Sequence, residues 1–514
     1  MGYKITCPYC FKEMMDNEVA FRSDVVNKGV PDILPVEYTD VEDFQQRYRG
    51  DDKEYLLAKL RDWYFFEEGS DSEYEAFWSR FNGTTELNPA DKILGVEAFR
   101  RKVIDPLNTE HQRYIRRQTN GEYYLYDQQG MADRIELLSG ETCNRRVCRH
   151  CHNPLPDNYG KNPVKFAAVV GITGAGKTVY LSQLLRRIKE YVTKVGLDTD
   201  RSSSARLFIE NNRVSAGQPL PGSTPSQQLQ QPLFFNVKKP LEDNKILTNT
   251  FVLYDVAGEV FTDEDLVERF APFIGHADGV IVLIDPLQFE VISGVSAEGR
   301  TLGDPTIVLD IINNIVNHGN VTEKCPVPFA ICMAKADMPE VQAVFSNELK
   351  TALLNDVEAV AEEPLFNAEQ YAPIAKELSK FIRTNDHVLA HQMKSAYASY
   401  AYFAFTALGC SVKEGVDESS NLTFQYPEGP VLPKRIEEPL LWLFYKLGYI
   451  GRHGSIPGEI YCPICGSNDN HELRGDDCTI TERYGLFGLK KRTLAVNRHC
   501  RACDHFWEHT DTEE

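Results

Sequence analysis

From Pro163 onward, short apolar runs alternate with amphipathic stretches, and this alternation predicts an α/β domain on a mostly parallel sheet. Six runs read as strands: residues 166–170, 234–237, 251–254, 279–284, 329–333 and 402–405. Their near-continuous apolarity suits strands covered on both faces. After the first run, Leu181, Leu184, Leu185, Ile188 and Val192 recur at helical spacing, with Gly196 placed to end the helix. Residues 440–450 read as a buried helix. Ahead of Pro163 the sequence is polar and aromatic-rich, with helical stretches at 53–66 and 96–104. Residues 222–231, rich in Gly, Ser, Pro and Gln, read as a mobile loop.

The first strand runs directly into Gly171, Ile172, Thr173, Gly174, Ala175, Gly176, Lys177 and Thr178, which fits G-x-x-x-x-G-K-[ST]. A strand before and a helix after are the context that a P-loop requires. The glycines let backbone N–H groups curl around phosphate oxygens, and the helix N-terminus adds its positive end. Lys177 is placed to reach the β- and γ-phosphates, and the Thr178 hydroxyl to ligate Mg²⁺. Downstream, the strand 251–254 ends in Asp255, Val256, Ala257 and Gly258, a D-x-x-G. Asp255 is expected to hold Mg²⁺, and the Gly258 amide to sense the γ-phosphate. Directly after the strand 329–333, Ala334, Lys335, Ala336 and Asp337 resemble the base-reading motif [NT]-K-x-D. A carboxylate there accepts from guanine N1–H and N2–H₂ together, while the Lys335 stem covers the ring. Ala334 replaces the usual Asn or Thr, so adenine stays open as the alternative base. Thr406, Ala407 and Leu408, after the last strand, look like the loop that supports the base edge.

The cysteines add a second chemistry. Cys462/Cys465 and Cys500/Cys503 form two C-x-x-C knuckles, enough for a tetrahedral four-sulfur Zn²⁺ site. Cys7/Cys10 and Cys148/Cys151 form a matching set, split by a long insert, with Cys143, His150 and His152 as spare donors. A closed four-thiolate site has no open coordination position, so both zincs are expected to be structural. Residues 473–496 are read as the hairpin of the C-terminal ribbon.

Composition narrows the rest. Net charge is −20 over 514 residues, which disfavours a broad nucleic-acid footprint and leaves protein partners as the expectation. No apolar run reaches the roughly 18 residues of a membrane span. The N-terminus lacks an apolar signal region, and thirteen cysteines arranged largely as C-x-x-C pairs favour metal thiolates in a reducing compartment, the cytoplasm. Residues 1–6 also fit the loose N-myristoylation pattern, which chance meets easily.

The order P-loop, D-x-x-G, K-x-D, T-A-L over residues 166–449 resembles the TRAFAC class of P-loop GTPases. Strings such as V-G-I-T-G-A-G-K-T-V-Y-L, L-Y-D-V-A-G-E, L-I-D-P and A-K-A-D look like its bacterial double-GTPase group. The resemblance implies a Ras-like fold, GTP and Mg²⁺ as ligands, and action beside a second GTPase or effector in a multi-gene, defence-type system. Two departures stand out. The intervals between motifs are long, so the switch I threonine falls on Thr224 as the best candidate. Glu259 occupies the place after D-x-x-G where Gln usually orients the attacking water. Ionised, it cannot donate a hydrogen bond, so slow intrinsic hydrolysis is expected. A nucleotide-dependent scaffold with little hydrolysis and an ATPase of the same lineage remain alternatives. The expected organisation is a split zinc ribbon (1–15 and 142–160), an insert (16–141), a GTPase domain (163–450) and a C-terminal zinc ribbon (451–514).

Overall fold

Seven strands form the central sheet of the computed structural model: β1 (Val164–Gly171), β2 (Asp198–Arg201), β3 (Leu233–Pro240), β4 (Ile246–Asp255), β5 (Gly279–Ile284), β6 (Phe329–Met333) and β7 (Tyr400–Ala404). The structure describes residues 3–25, 34–35, 37–67, 69, 71–171, 174–222, 231–241, 245–294, 305–320, 323–360, 364–416, 423–464, 470–472, 479–484 and 490–513, except 83–100. Their order is β2-β3-β4-β1-β5-β6-β7. The five strands from β4 to β7 run parallel, while β3 lies antiparallel to β4 and β2 antiparallel to β3. All six expected strands are present. The seventh, β2, is an edge strand of polar Asp-Thr-Asp-Arg sequence, which no apolar run announces.

Residues alternate between the two faces of a strand. On one face, Phe251 of β4 meets Phe444 (ring centroids 4.5 Å apart), and Tyr180 stacks on Phe405 at 4.7 Å. Phe444 belongs to the helix Glu438–Lys446 and Tyr180 to the helix Lys177–Lys194. The second of these ends as expected, with the Leu197 amide on the Val192 carbonyl (3.0 Å) and the Gly196 amide on the Thr193 carbonyl (3.1 Å). On the opposite face, Phe166, Val252, Tyr254, Val282 and Ile331 share one apolar core with Ile312, Ile374 and Leu378, and with Tyr9, Phe11 and Trp78 of the N-terminal region.

Among the described residues that region is built from short strands, short 3-10 turns and the helices α1 (Val41–Arg47), α2 (Lys53–Phe65) and α3 (Ser72–Asn82). The stretch expected at 53–66 is helical over Lys53–Phe65, with Phe66 as its C-cap. The stretch 96–104 differs: 96–100 lie outside the described residues, and Val103–Ile104 is a strand that pairs with Ala20–Arg22. Both are β-branched and buried, which suits a strand. Most of the expected loop 222–231 also lies outside the described residues.

The chain divides into compact units 1–453 and 454–514. The strand Gly451–His453 pairs in parallel with Leu365–Asn367 inside the first. In the second, Lys490–Cys500 pairs antiparallel with Thr479–Tyr484, Asn470–Glu472 and Phe506–Glu513, so the hairpin read at 473–496 belongs to a larger antiparallel sheet. Among the described residues no helix is long and apolar enough to cross a membrane.

Candidate nucleotide-binding site

The registers of the parallel strands bring five carboxyl ends to one edge: Asp255 beside Val169, Gly171 beside Leu283, Ile284 beside Met333, and Met333 beside Ala404. Ligands of open α/β sheets bind at that edge. The sequence motifs that follow β1, β4, β6 and β7 therefore converge from four strand ends.

The P-loop residues turn at Gly176, whose φ of +80° an L side chain rarely adopts, and the helix begins at Lys177. Gly174 and Ala175 lie in the turn, and Thr173 lies outside the described residues. Lys177 is 8% exposed and folds back so that Nζ donates to the Gly171 carbonyl at 3.1 Å. Burial pulls its ammonium down to about 8, against the opposing pull of Asp255 and Glu259. The Thr178 hydroxyl donates to Asp255 Oδ2 at 2.9 Å. A hydroxyl and a carboxylate oxygen held side by side are hard donors suited to Mg²⁺. After Asp255 the chain enters a 3-10 turn over Gly258–Thr262, with Gly258 buried and Glu259 exposed.

The K-x-D loop is anchored by its backbone. The Ala334 amide donates to the Ile284 carbonyl and the Ala336 amide to the Phe405 carbonyl, both at 3.1 Å. Lys335 takes φ +53° and its Nζ pairs with Asp285 Oδ2 at 2.7 Å. Asp285 is buried, also accepts from the Leu287 amide at 3.1 Å, and lies against the P-loop turn at Gly174. Motif spacing did not single it out, although it directly follows β5 much as Asp255 closes β4. Asp337 is partly exposed on the same loop. Thr406 exchanges backbone hydrogen bonds with Lys434 (3.1 and 2.9 Å), its hydroxyl accepts from the Gly409 amide, and the Leu408 carbonyl accepts from Leu432. Ala407 lies between them. Thr224 lies outside the described residues.

The N-terminal cysteines converge as well. Cys7 Sγ lies 3.7 Å from Cys151 Sγ, Cys10 Sγ lies 3.7 Å from Cys148 Sγ, and all four fall within 4.8 Å of one another. A tetrahedron with Zn–S near 2.3 Å has S···S edges of about 3.8 Å, so these residues fit the metal. The two knuckles share one backbone design. The amides of Phe11 and His152 return to the carbonyls of Cys7 and Cys148, and the amides of Tyr9 and His150 donate to their sulfurs. Phe11 and His152 both take left-handed φ, at +55° and +52°. Burial pushes the Cys7 and Cys151 thiols up, while hydrogen bonds from Cys148, Cys151 and Cys7 pull Cys10 down. In the C-terminal unit, Cys462, Cys500 and Cys503 converge, and Asp504 takes φ +59° where Phe11 and His152 do in theirs. Cys465 lies outside the described residues. Cys143 and His150 are not in the four-sulfur cluster, and His152 Nδ1 lies 2.7 Å from Asp71 Oδ1 instead.

A glycine-rich turn between a parallel strand and a helix, a Thr–Asp pair beneath it and a K-x-D loop two strands away define a P-loop GTPase fold. Residues 165–380 match the family model described as Double-GTPase 2. Two curated proteins are related. One, from Mycolicibacterium smegmatis, is named as a candidate ESX-1 scaffolding and assembly protein, SaeC, and is 26% identical over 187 residues. The other is a signal recognition particle protein of Rickettsia felis, 34% identical over 139 residues. These alignments cover 34% and 26% of this chain, and the chain spans 48% and 29% of those proteins. Among solved structures, the Ski7 GTPase-like domain of S. cerevisiae bound to GTP aligns at TM-score 0.27 and 14% identity, covering 66% of this chain and 58% of that one. The septin GTPase domain of Chlamydomonas reinhardtii aligns at TM-score 0.25 and 13% identity, covering 55% and 92%.

Proposed function

We propose that this chain binds GTP with Mg²⁺, hydrolyses it slowly and acts as a nucleotide-dependent switch for protein partners. The observation that carries the reading is the contact between Thr178 and Asp255, at 2.9 Å beside the buried Lys177. In this reading Lys177 neutralises the far end of the triphosphate, Thr178 and Asp255 hold Mg²⁺, and the Gly258 amide meets the γ-phosphate. Mg²⁺ supplies charge neutralisation of the phosphates when bound. Lys335 and Asp337 read the base, and the Thr406, Ala407 and Leu408 backbone supports its edge. Glu259, exposed and acidic, supplies no donor to the attacking water, which supports slow turnover.

The scaffolding name of the mycobacterial relative favours protein partners over nucleic acid, as does the net charge of −20. A second GTPase or an effector from the same multi-gene, defence-type system fits the double-GTPase match. The cysteine sets are assigned to two structural Zn²⁺ ions, at Cys7, Cys10, Cys148 and Cys151 and at Cys462, Cys465, Cys500 and Cys503. A scaffold with little hydrolysis is the second reading, favoured by Glu259; an ATPase is favoured only by Ala334.

Equilibrium binding tests the assignment. Lys177→Ala is expected to raise the GTP dissociation constant by roughly 30-fold or more, as expected when one partner of a buried charge contact is lost. Asp337→Asn is expected to exchange GTP preference for xanthosine triphosphate. Unchanged affinity in the first variant sinks nucleotide binding at this site; ATP preference in the wild type sinks the guanine reading.

A further inference from the structure

The N-terminal cysteine module packs against the segment that carries and follows the D-x-x-G turn. β4 ends with Tyr254 and Asp255 side by side, so the two side chains leave on opposite faces of the sheet. Asp255 turns towards Thr178. Tyr254, 2% exposed, turns the other way, and its hydroxyl donates to the Pro8 carbonyl at 2.7 Å. Pro8 lies between Cys7 and Cys10, inside the metal knuckle. The contact continues beyond the strand. Phe11 stacks on His276 (centroids 4.9 Å apart, planes 10° off parallel) and packs edge-on against Phe166 of β1 at 5.8 Å. Tyr254 stacks on Phe273 at 4.2 Å and 7°. Arg269, in the helix Glu264–Phe270 that follows the D-x-x-G turn, donates twice to the Arg80 carbonyl at the end of α3, at 2.7 and 3.2 Å. Residues 254–276 are thus tied to the N-terminal module at the strand end, at the helix and at the turn after it.

We propose that the four-cysteine module is a built-in brace of the nucleotide site, with Tyr254 as a positioning residue that sets Asp255 and the D-x-x-G turn through the Pro8 carbonyl. The inference rests on the nucleotide reading above and adds a coupling to it. Four thiolates fix the Pro8 carbonyl and the Phe11 ring in the knuckle. The knuckle fixes Tyr254, and the strand passes that placement to the next residue, Asp255. Coupling between two sites is reciprocal. If the metal favours the arrangement that binds Mg²⁺ and triphosphate, nucleotide must tighten the metal by the same factor.

The test uses the full chain loaded with Zn²⁺ and a fluorescent GTP analogue, titrated at several Mg²⁺ concentrations. Tyr254→Phe is expected to raise the analogue's dissociation constant about five- to tenfold and move the Mg²⁺ midpoint upward. The control is Tyr159→Phe. Tyr159 donates to the Thr6 carbonyl at 2.9 Å, a similar bond into the same module from a residue that is not part of β4. It is expected to lower thermal stability while leaving affinity and Mg²⁺ midpoint within twofold. A second measurement needs no substitution: Zn²⁺ affinity of the wild type, by competition with a chromogenic chelator, should rise five- to tenfold with saturating GTP and Mg²⁺. The brace is overturned if Tyr254→Phe binds like the wild type, if both tyrosine variants weaken binding equally, or if GTP leaves Zn²⁺ affinity unchanged. A wild type that binds no GTP overturns the nucleotide reading itself, and that outcome appears before any variant is compared.

Discussion

At the scale of single residues, Lys177 carries the most chemistry and the most telling pH signature. Its ammonium is held down to about 8 by burial, whereas a free lysine titrates near 10.4. A bound triphosphate favours the charged form, so binding above pH 8 must take up a proton. GTP affinity is therefore expected to be flat below about pH 7 and to weaken by about tenfold per unit once pH passes 8. Calorimetry in buffers of different ionisation enthalpy reads the proton uptake directly. A flat profile to pH 9.5 excludes Lys177 as the responding group. The same depression works on stability in the opposite sense. Between 8 and the unfolded value the unfolded chain holds more protons, so this group's penalty on the fold shrinks as pH rises.

The residue scale also marks where reading the sequence stops. That Lys177, Thr178 and Asp255 come together was legible because the P-loop and D-x-x-G patterns place those residue types at fixed distances from strand and helix. Asp285 was not, because an acid after an apolar run has many uses and its partner Lys335 lies fifty positions on. Tyr254 was hidden for a simpler reason. A tyrosine closing a core strand looks like packing, and its acceptor, the Pro8 carbonyl, belongs to a backbone atom that sequence does not display.

At the scale of elements, the loop proposed to support the base edge tolerates little change. Gly409 closes the loop begun by Thr406, at φ +67°, and a Cβ built there falls 2.0 Å from the Leu432 carbonyl oxygen. Gly409→Ala must push apart the loop and residues 432–434. We expect a loss of about 2 kcal/mol or more in stability and a GTP dissociation constant raised about tenfold, read by melting and by titration. A variant that melts and binds like the wild type removes this loop from the site. Buried strands were legible element by element through continuous apolar runs. The edge strand β2 was not, since half of its residues face water and its place is fixed by pairing with β3. Residues 103–104 were missed because two β-branched residues are too few to set a period.

At the scale of the whole molecule, the N-terminal region is part of the core on which the GTPase fold rests. Phe166, Tyr254 and Phe273 are each 6% exposed or less, and Phe11 and Tyr9 share their cluster. A fragment that starts at Pro163 and ends at His453 uncovers that face. Its melting temperature is expected to fall about 10 °C or more below that of the full chain, with binding of a hydrophobic dye. A fragment as stable as the parent would mean that the shared cluster contributes little. This integration was the least legible feature. The aromatic residues that dock the module are scattered through turns, so no periodicity links them to the sheet they cover.

The alternation at the end of β4 has one more consequence. Neighbouring positions serve two customers, Asp255 the Thr178 side and Tyr254 the cysteine side, and pleat parity keeps them apart. Inserting or deleting a single residue within β4 upstream of them would exchange their directions in one stroke. The strand can therefore accept many substitutions but no change of length, and a frame of one residue there should silence phosphate capture and knuckle docking together.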